Sequence, residues 1–411
     1  MGVVKVALLT SNFPPEIHAG TEMVVVALGH ALRRRGIDLV VVTSSEKVHS
    51  GQDLRVEDYE GMRVLRAFKH LDEWDQNRLD RPRLVELAAK ALAAEKPDVL
   101  HVHSFSQFGT GIAQRARELR IATAMTFHDV WATCPRFFRS PPEGHGIVCP
   151  TGAEREVCVR CCNLELRHPD LDVVRAAVHG RDASIRREVA AMQQLSAPTR
   201  TAARIVRENL PTDRPVEVIP HGLLRPLSAE ERAAPPRADE KLRIGTYGNL
   251  VEPKGVLELV RAVADLDCEL HLAGAFLDAK FEALVRSECA ELGVDLHYHG
   301  AYTQHLPHPA LRLHLAVFPS KCQETYGLVV DESLARGVPV VVSDNGALVE
   351  RAALGGAVVT PVLGLREAVH GVARNRDVLE RLRRAIPQDM GSIEGAAEQY
   401  VAMYRRAMEE R

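Results

Sequence analysis

Two glutamates lie eight positions apart in the stretch PSKCQETYGLVVDESLARGVPVVVSDNG, residues 319–346. The pattern predicts a strand that ends at Ser320, a loop that carries Glu324, and a helix that Gly327 opens. Glu332 would lie about one and a half turns into that helix. A helix amino terminus presents free N–H groups and partial positive charge, which suit a diphosphate, and nearby carboxylates can accept hydrogen bonds from sugar hydroxyls. The alternative for Glu332 is an ordinary acid on a helix surface.

A second group of reactive side chains lies in CPRFFRSPPEGHGIVCPTGAEREVCVRCC, residues 134–162, which holds five of the eight cysteines. A pair of cysteines spaced by two residues, together with two from the preceding loop, can supply four thiolates to one metal centre. The predicted ligands are Cys134, Cys149, Cys158 and Cys161. We expect Cys162 to be spare, since adjacent thiolates rarely point at the same centre.

The composition of this segment also favours a metal. It is rich in proline and glycine and can bury little apolar surface, so a bound metal would supply the missing cross-link. Structural zinc is the first choice. A [4Fe–4S] cluster is the alternative, because proline follows two of the cysteines as in ferredoxin-like segments. Free thiols or disulfides are the third possibility.

The elements that position these residues follow a βαβ rhythm, in which short β-branched runs alternate with helix-length amphipathic segments. Strands are predicted in the first half at 3–10, 38–43, 98–103, 121–127 and 216–219, with helices near 20–35, 82–95 and 109–119. Strands are predicted in the second half at 242–248, 268–274, 296–300, 313–320, 338–343 and 357–360. The fold class is therefore α/β, with two doubly wound parallel-sheet domains.

The domain boundaries are predicted from a break in this rhythm at a proline-rich, charged stretch. The predicted parts are a first domain at 1–222, a linker at 223–240, a second domain at 241–390, and a final helix at 391–411 that packs back on the first domain. Ligands of open α/β sheets bind at the carboxyl ends of the strands, so we expect a cleft between two such domains.

Composition excludes several classes of function. The 411 residues include 52 basic and 55 acidic side chains, a net charge of −3, which argues against nucleic acid as a partner. No run of about 18 uncharged apolar residues predicts a membrane span, and we expect a cytoplasmic protein without an export signal. A dehydrogenase is disfavoured because neither half shows G-x-G-x-x-G after its first strand.

Other candidate sites have simpler explanations. Asp170 and Asp172 fit a helix start rather than the D-x-D of a metal-dependent transferase, and Asp265-x-Asp267 fits a turn. His101 and His103 alternate along one predicted strand and are expected to pack rather than to bind metal.

The stretch that carries Glu324 and Glu332 resembles the E-x7-E signature of retaining glycosyltransferases of family 4, which have the GT-B fold. Other blocks follow in the family's order from residue 1 to about 360. LLTSNFPPEIHAGTE resembles the glycine loop, TFHDVW the active-site histidine block, and YGNLVEPKG the phosphate-binding block, while LSAPTR and VIPHG resemble the segments before the linker.

This resemblance implies a retaining transferase that moves a sugar from a nucleoside diphosphate donor to an acceptor hydroxyl without a catalytic metal. Lys254 would neutralise the departing diphosphate, Glu324 would hold donor-sugar hydroxyls, Glu332 would hold the ribose, and His128 would contact the donor sugar or the acceptor. The implied donor site consists of Gly20, Asn249, Lys254, Glu324, Thr325, Tyr326, Gly327 and Glu332.

The acceptor would be a glycan, a lipid-linked glycan or a small molecule, with possible peripheral contact with the membrane. The cysteine segment, an insertion in the acceptor-side domain, would shape an acceptor-binding loop. One departure from the family stands out, because Asn249 occupies the position where an arginine usually pairs with the lysine. An amide cannot replace a bidentate guanidinium. A non-catalytic protein that binds sugar nucleotides is therefore the alternative function.

Overall fold

The computed structural model describes residues 4–411 except 71, 74–78, 143–144, 146–148, 151, 153, 211 and 303–306. The chain divides into two compact units. The first unit contains the residues up to Arg225 together with Gly391–Arg411, and the second contains Pro226–Met390. In the described ranges, every helix is too short or too polar to cross a membrane.

The first unit is built on one sheet of eight described strands, and the central ones, such as β1, β5 and β6, are almost fully buried. These are β1 (Lys5–Thr10), β2 (Asp38–Val48), β3 (Leu54–Tyr59), β4 (Met62–Lys69), β5 (Val99–Val102), β6 (Ala122–Thr126), β7 (Gln194–Ala197) and β8 (Val216–Val218). Their order is β3-β4-β2-β1-β5-β6-β7-β8. All pairings are parallel except that of β3 with β4, an antiparallel hairpin at the edge.

The second unit has six described strands, and all of its pairings are parallel. They are β9 (Leu242–Tyr247), β10 (Cys268–Ala273), β11 (Asp295–Tyr298), β12 (Leu315–Phe318), β13 (Val340–Ser343) and β14 (Ala357–Thr360). Their order is β11-β10-β9-β12-β13-β14, so the direction of winding reverses between β9 and β12. The prediction of two doubly wound parallel-sheet domains is confirmed.

Helices connect the strands of both sheets. Six helices precede residue 226 in the described part of the first unit: α1 (Gly20–Arg34), α2 (Pro82–Glu95), α3 (Ile112–Glu118), α4 (Glu156–Leu166), α5 (Leu171–Ala191) and α6 (Arg200–Asn209). Those of the second unit are α7 (Val256–Val263), α8 (Ala279–Glu291), α9 (Leu328–Ala335), α10 (Leu348–Ala352), α11 (Leu365–Ala373) and α12 (Arg376–Arg384). The chain then returns to the first unit as α13 (Ile393–Glu409).

The returning helix α13 is part of the first unit's core. It packs against α1 and the strands β5, β6 and β7. Tyr400 and Tyr404 are fully buried, and the hydroxyl of Tyr404 hydrogen-bonds to His101 Nδ1 at 2.7 Å. At the surface, Glu394 accepts hydrogen bonds from Arg34 and Arg35. Arg34 and Arg35 therefore also fasten α13 to α1.

The segments that leave and re-enter the first unit lie side by side. The backbone N–H of Leu223 donates to the carbonyl of Gly391 at 3.1 Å, and that of Ile393 donates to the carbonyl of Leu223 at 2.9 Å. Gly222 has φ +64°, and a Cβ there would lie 2.3 Å from the backbone nitrogen of Ser392. The two crossing points, where the chain leaves and re-enters the first unit, are thus in direct backbone contact.

Sequence analysis found most elements within a few residues and omitted several. It did not predict the β3–β4 hairpin, β7, α4 or α6, and of α5 it predicted only the start. Asp170, predicted to start a helix, does so: it is the N-cap of α5, and its carboxylate accepts the backbone N–H of Asp172 at 2.8 Å.

Candidate active site

Glu324 lies in the loop between β12 and α9, in the second unit. Its Oε1 accepts hydrogen bonds from Lys254 Nζ and Ser320 Oγ, each at 2.5 Å. Burial is the largest single cause and would raise the pKa of Glu324, but the charge and hydrogen bond of Lys254 together with the hydrogen bond of Ser320 outweigh it and hold this pKa below its usual value. Burial lowers and Glu324 raises the pKa of Lys254, and the net shift is upward. The two groups therefore form an ion pair at neutral pH.

Lys254 and Glu324 come from loops that follow two neighbouring strands, β9 and β12. The order of strands reverses between these two, and open α/β sheets bind ligands at the carboxyl ends of strands at such a switch point. Gly255 allows the loops to approach, since it has φ +73° and a Cβ there would lie 2.1 Å from the carbonyl oxygen of Pro319. Residues distant in sequence thus meet at the position where this fold binds ligands.

The loop after β13 holds the Glu324 loop in place. Ser343 Oγ donates to the carbonyl of Ser320 at 2.6 Å, and the backbone N–H of Ala347 donates to the carbonyl of Glu324 at 2.7 Å. Gly346 has φ +65°, and a Cβ there would lie 2.3 Å from the carbonyl oxygen of Glu324. The position of Glu324 therefore depends on a contact that only glycine permits.

Helix α9 begins as predicted, with Gly327 as its N-cap at φ +89°. Glu332 lies in its second turn with 28% of its side chain exposed, and its Oε2 is 3.5 Å from His308 Nε2. The rings of Tyr247 and Tyr302 pack against His308, with centroids at 5.1 and 6.1 Å. Glu332 thus lies next to a cluster of three rings, those of Tyr247, Tyr302 and His308, and is not an isolated acid on a polar surface.

Thr325 and Tyr326, both predicted to contact the donor, differ in burial. Thr325 is half-buried, whereas Tyr326 is buried and donates its hydroxyl hydrogen to Asp331 Oδ2 at 2.8 Å. Arg351 donates to both oxygens of Asp331, at 2.8 and 2.7 Å, and its guanidinium lies 4.7 Å from the Tyr326 ring centroid. The side chain of Tyr326 therefore anchors the loop to α9 and α10.

Asn249 lies in the loop after β9 with an exposed side chain. In the sequence of this loop, residues 248–255, Lys254 is the one cation. The neighbouring Lys321 forms ion pairs with Glu252 and Glu258, at 3.2 and 3.0 Å. A bound diphosphate would thus meet Lys254 without a second cation from this loop.

His128 lies after β6 in the first unit and is buried. Its Nε2 hydrogen-bonds to His103 Nδ1 at 2.8 Å, and its ring stacks on that of His221 with centroids 5.0 Å apart. Burial lowers the pKa of His128 to about 3. The imidazole is therefore neutral at physiological pH and can exchange hydrogen bonds with a hydroxyl.

Gly20 is the exposed first residue of α1, and a buried carboxyl lies two residues further on. Burial is the main cause that raises the pKa of Glu22 to about 7. Backbone N–H groups of Glu22 and Ala19 oppose this shift, and the charges of Asp129 and Glu46 add to it. The segment predicted to approach the donor thus contains an acid, Glu22, whose pKa lies near neutrality.

The cysteine segment follows the 3₁₀ turn Trp131–Thr133, and its residues 143–144, 146–148, 151 and 153 lie outside the described residues. Helix α4 places three cysteines at spacings of three and four, and therefore on one face. One cavity is lined by all five cysteines of the segment: Cys134, Cys149, Cys158, Cys161 and Cys162. Every cysteine of the chain is a free thiol. Cys162, expected to be spare, thus faces the same cavity as the predicted ligands.

Sets of three ligand atoms within 4.8 Å of one another occur at two other places in the described chain. These are His49, Asp53 and His70, and Glu269, His271 and His297. No three cysteine sulfurs of the described residues lie that close together.

Several groups that hold the site together were missed by sequence analysis. They are Ser320, Asp331, Ser343, Asn345, Gly346 and Arg351 in the second unit, where Asn345 Nδ2 also donates to the carbonyl of Ser320 at 2.7 Å. The buried Glu22 of the first unit and its raised pKa were missed as well. The Asp-Asn-Gly turn after β13 carried a signal, because this tripeptide favours a left-handed glycine. Arg351 carried none, since it pairs with Asp331 across 20 positions.

Two family models match the chain. Residues 18–223 match the family described as Glycosyltransferase Family 4, and residues 228–374 match the family described as Glycosyl transferases group 1. No curated protein sequence matches the chain.

Solved structures show the same fold at low identity. Sucrose-phosphate synthase from Thermosynechococcus elongatus is 18% identical, with a TM-score of 0.70 over 99% of this chain and 100% of that one. An α,α-trehalose-phosphate synthase from Burkholderia xenovorans is 15% identical, with a TM-score of 0.66 over 98% of this chain and 100% of that one. The catalytic domain of starch synthase IV from Arabidopsis thaliana is 15% identical, with a TM-score of 0.63 over 100% of both chains.

The family match covers half of the chain, and the fold agrees with it. The chain belongs to glycosyltransferase family 4 and is a retaining glycosyltransferase of the GT-B fold that uses a nucleoside diphosphate sugar.

Proposed function

We propose that the second unit binds the donor through Lys254, Glu324 and Glu332, and that the first unit offers His128 to the acceptor hydroxyl or the donor sugar. The observation that carries this proposal is the 2.5 Å ion pair between Lys254 and Glu324 at the switch point of the second sheet. An ammonium and a carboxylate at that position match the two ends of a sugar diphosphate.

Donor binding would change the partner of Lys254. The diphosphate is more highly charged than one carboxylate, so its oxygens compete for the ammonium, and the first N–H groups of α9 add a partial positive charge. Glu324 would then turn its oxygens to hydroxyls of the donor sugar. Cleavage of the sugar–phosphate bond builds negative charge on the leaving oxygen, which a fixed cation stabilises most strongly away from water.

The remaining groups fit supporting roles. Glu332 can accept hydrogen bonds from the ribose, and the aromatic group beside it offers apolar surface to the base. His128 is neutral, and therefore it can hold a hydroxyl without repelling the positive charge that develops on the sugar ring. The transfer needs no metal, so we propose a structural role for a metal centre in the cysteine segment.

A panel of nucleoside diphosphate sugars tests the donor site. The matching donor should raise the melting temperature of the purified protein, and Lys254→Met should abolish most of this rise, because it removes the cation for the diphosphate. Glu324→Gln should still bind the free nucleoside diphosphate. Its affinity for the sugar nucleotide should be no higher than its affinity for the free nucleoside diphosphate. Both variants should slow release of the nucleoside diphosphate during transfer at least 10²-fold.

Lys241→Met is the matched control. Lys241 also pairs with a carboxylate, Asp267 at 2.9 Å, but it precedes β9 and so lies at the opposite end of the sheet. Its loss should leave donor binding and turnover unchanged. Near-normal turnover in Lys254→Met and Glu324→Gln would contradict the proposed roles and favour a protein that only binds sugar nucleotides.

A further inference from the structure

The cysteines of residues 134–162 converge on one cavity from three separate pieces of chain. Cys134 follows the 3₁₀ turn, Cys149 lies in the loop beyond it, and Cys158 and Cys161 project from one face of α4. A cavity lined by several free thiols is unusual, because sulfurs in a packed core are normally surrounded by apolar groups.

The separation of the sulfurs limits what this cavity can hold. A tetrahedral zinc ion with bonds of about 2.3 Å brings its four sulfurs to about 3.8 Å from one another. Within the described residues, no three of the cysteine sulfurs come within 4.8 Å of one another. In an iron–sulfur cluster the cysteines bind different irons, and sulfide bridges spread them further apart. A cluster therefore requires less approach of these sulfurs than a single zinc ion does.

The groups around the sulfurs suit an anionic centre. Arg136 Nη1 donates to Cys161 Sγ at 3.6 Å, and Arg155 Nη1 donates to Cys158 Sγ at 3.7 Å. The backbone N–H of Arg139 donates to Cys134 Sγ at 3.3 Å. Such N–H···S contacts and nearby positive charge stabilise thiolates bound to a metal centre and tune its potential.

We propose that this cavity binds an iron–sulfur cluster, with Cys134, Cys149 and Cys158 as three ligands and Cys161 or Cys162 as the fourth. Both candidates lie on the cavity side of α4. Cys158 and Cys162 both pack with Val174 and Val178 in a small apolar cluster, so that cluster does not separate the two candidates. Cys161, however, accepts a hydrogen bond from Arg136, as Cys158 does from Arg155. Cys161 is therefore the favoured fourth ligand.

The cluster would hold the turn that follows His128. The backbone N–H of Cys134 donates to the carbonyl of Val130 at 2.9 Å. Arg155, which contacts a ligand sulfur, also donates to the carbonyl of Thr133 at 3.1 Å. A centre bonded to Cys134 and to α4 would thus join this turn to the helix, a structural role independent of the sugar transfer.

Metal analysis of the whole protein tests the proposal. Protein purified without oxygen and without a metal-affinity resin should be brown and contain about two or four irons per chain with an equal amount of acid-labile sulfide. About one zinc per chain in a colourless solution, or protein without metal, would overturn it.

Single cysteine variants locate the ligands. Changing Cys134, Cys149 or Cys158 to serine should lower the iron and sulfide content at least twofold, and Cys161→Ser should lower it more than Cys162→Ser. Cys289→Ser is the control, because this buried cysteine lies in α8 of the second unit and should leave the iron content unchanged. The assignment would be refuted if the five variants of the cysteine segment contained as much iron as Cys289→Ser.

A second measurement applies if the variants fail to fold. Wild-type protein stripped of metal is incubated either with ferrous iron and sulfide or with zinc alone. Iron and sulfide should restore the melting temperature of the native protein, and a larger recovery with zinc would contradict the proposal.

Discussion

Gly346→Ala should disable the enzyme without a change in any residue that contacts substrate. A Cβ at this position would lie 2.3 Å from the carbonyl oxygen of Glu324 and 2.4 Å from its backbone nitrogen, whereas ordinary contacts begin near 3.4 Å. The backbone of Glu324 must therefore retreat by about 1 Å. A shift of that size along the bond would stretch the 2.5 Å hydrogen bond to Lys254 to about 3.5 Å, longer than the ordinary range for such bonds.

The expected effect follows from two separate costs. A left-handed alanine costs about 1–2 kcal/mol of stability whatever surrounds it. Displacement of a substrate-positioning group by about 1 Å costs on the order of 10²-fold in rate. Urea unfolding measures the first cost, and release of nucleoside diphosphate during transfer measures the second.

Gly293→Ala separates the two costs. Gly293 has φ +66°, nearly the value of Gly346, but nothing lies within 4 Å of its added Cβ. Both variants should lose stability, and only Gly346→Ala should lose about 10²-fold in turnover. If Gly346→Ala turns over as fast as Gly293→Ala, the contact between Gly346 and Glu324 does not position the site.

Two further predictions concern single groups. Asn249→Arg should tighten binding of UDP, GDP or ADP, whichever binds best, by about 1.5–3 kcal/mol, because it adds a charge-assisted hydrogen bond beside Lys254. Unchanged affinity in calorimetric titration would mean that another group already serves the diphosphate. Glu22, whose pKa is raised from 4.5 to about 7, keeps a proton in the folded protein that the unfolded chain releases, so stability should fall as pH rises from 4.5 to 7. Glu22→Gln should flatten this fall in urea midpoints measured between pH 5 and pH 8, and a parallel fall in both proteins would refute the assignment.

The sequence predicted most strands because parallel sheets are buried on both faces and leave continuous β-branched runs. It also predicted the loop of Glu324 and the start of α9 at Gly327. The β3–β4 hairpin was missed although its turn, Glu60 and Gly61, has the left-handed pair typical of a two-residue hairpin. The strand β3 is half-exposed, and neither strand contains a run of β-branched residues.

The contacts that complete the site were harder to predict. The Lys254–Glu324 pair joins residues 70 positions apart, and only the strand order shows that their loops are neighbours. The Cys158-x2-Cys161 spacing was recognised, but its place on a helix was not. That helix is what turns Cys162 toward the same cavity, since residues four apart share a face.

The adjacent crossing points at Leu223 and Gly391 make the second unit an insertion in the first. The first unit is complete only with α13, which buries Tyr400 and Tyr404 against its sheet, so a fragment that stops at Arg225 would leave that face bare. Joining Leu223 to Ser392 through a short linker would instead preserve it, because the two ends already touch. The second unit, the proposed donor-binding half, can thus be removed without a break in the core of the first. Recombination between relatives would then exchange the proposed donor site through two neighbouring junctions, while the first unit keeps its own core.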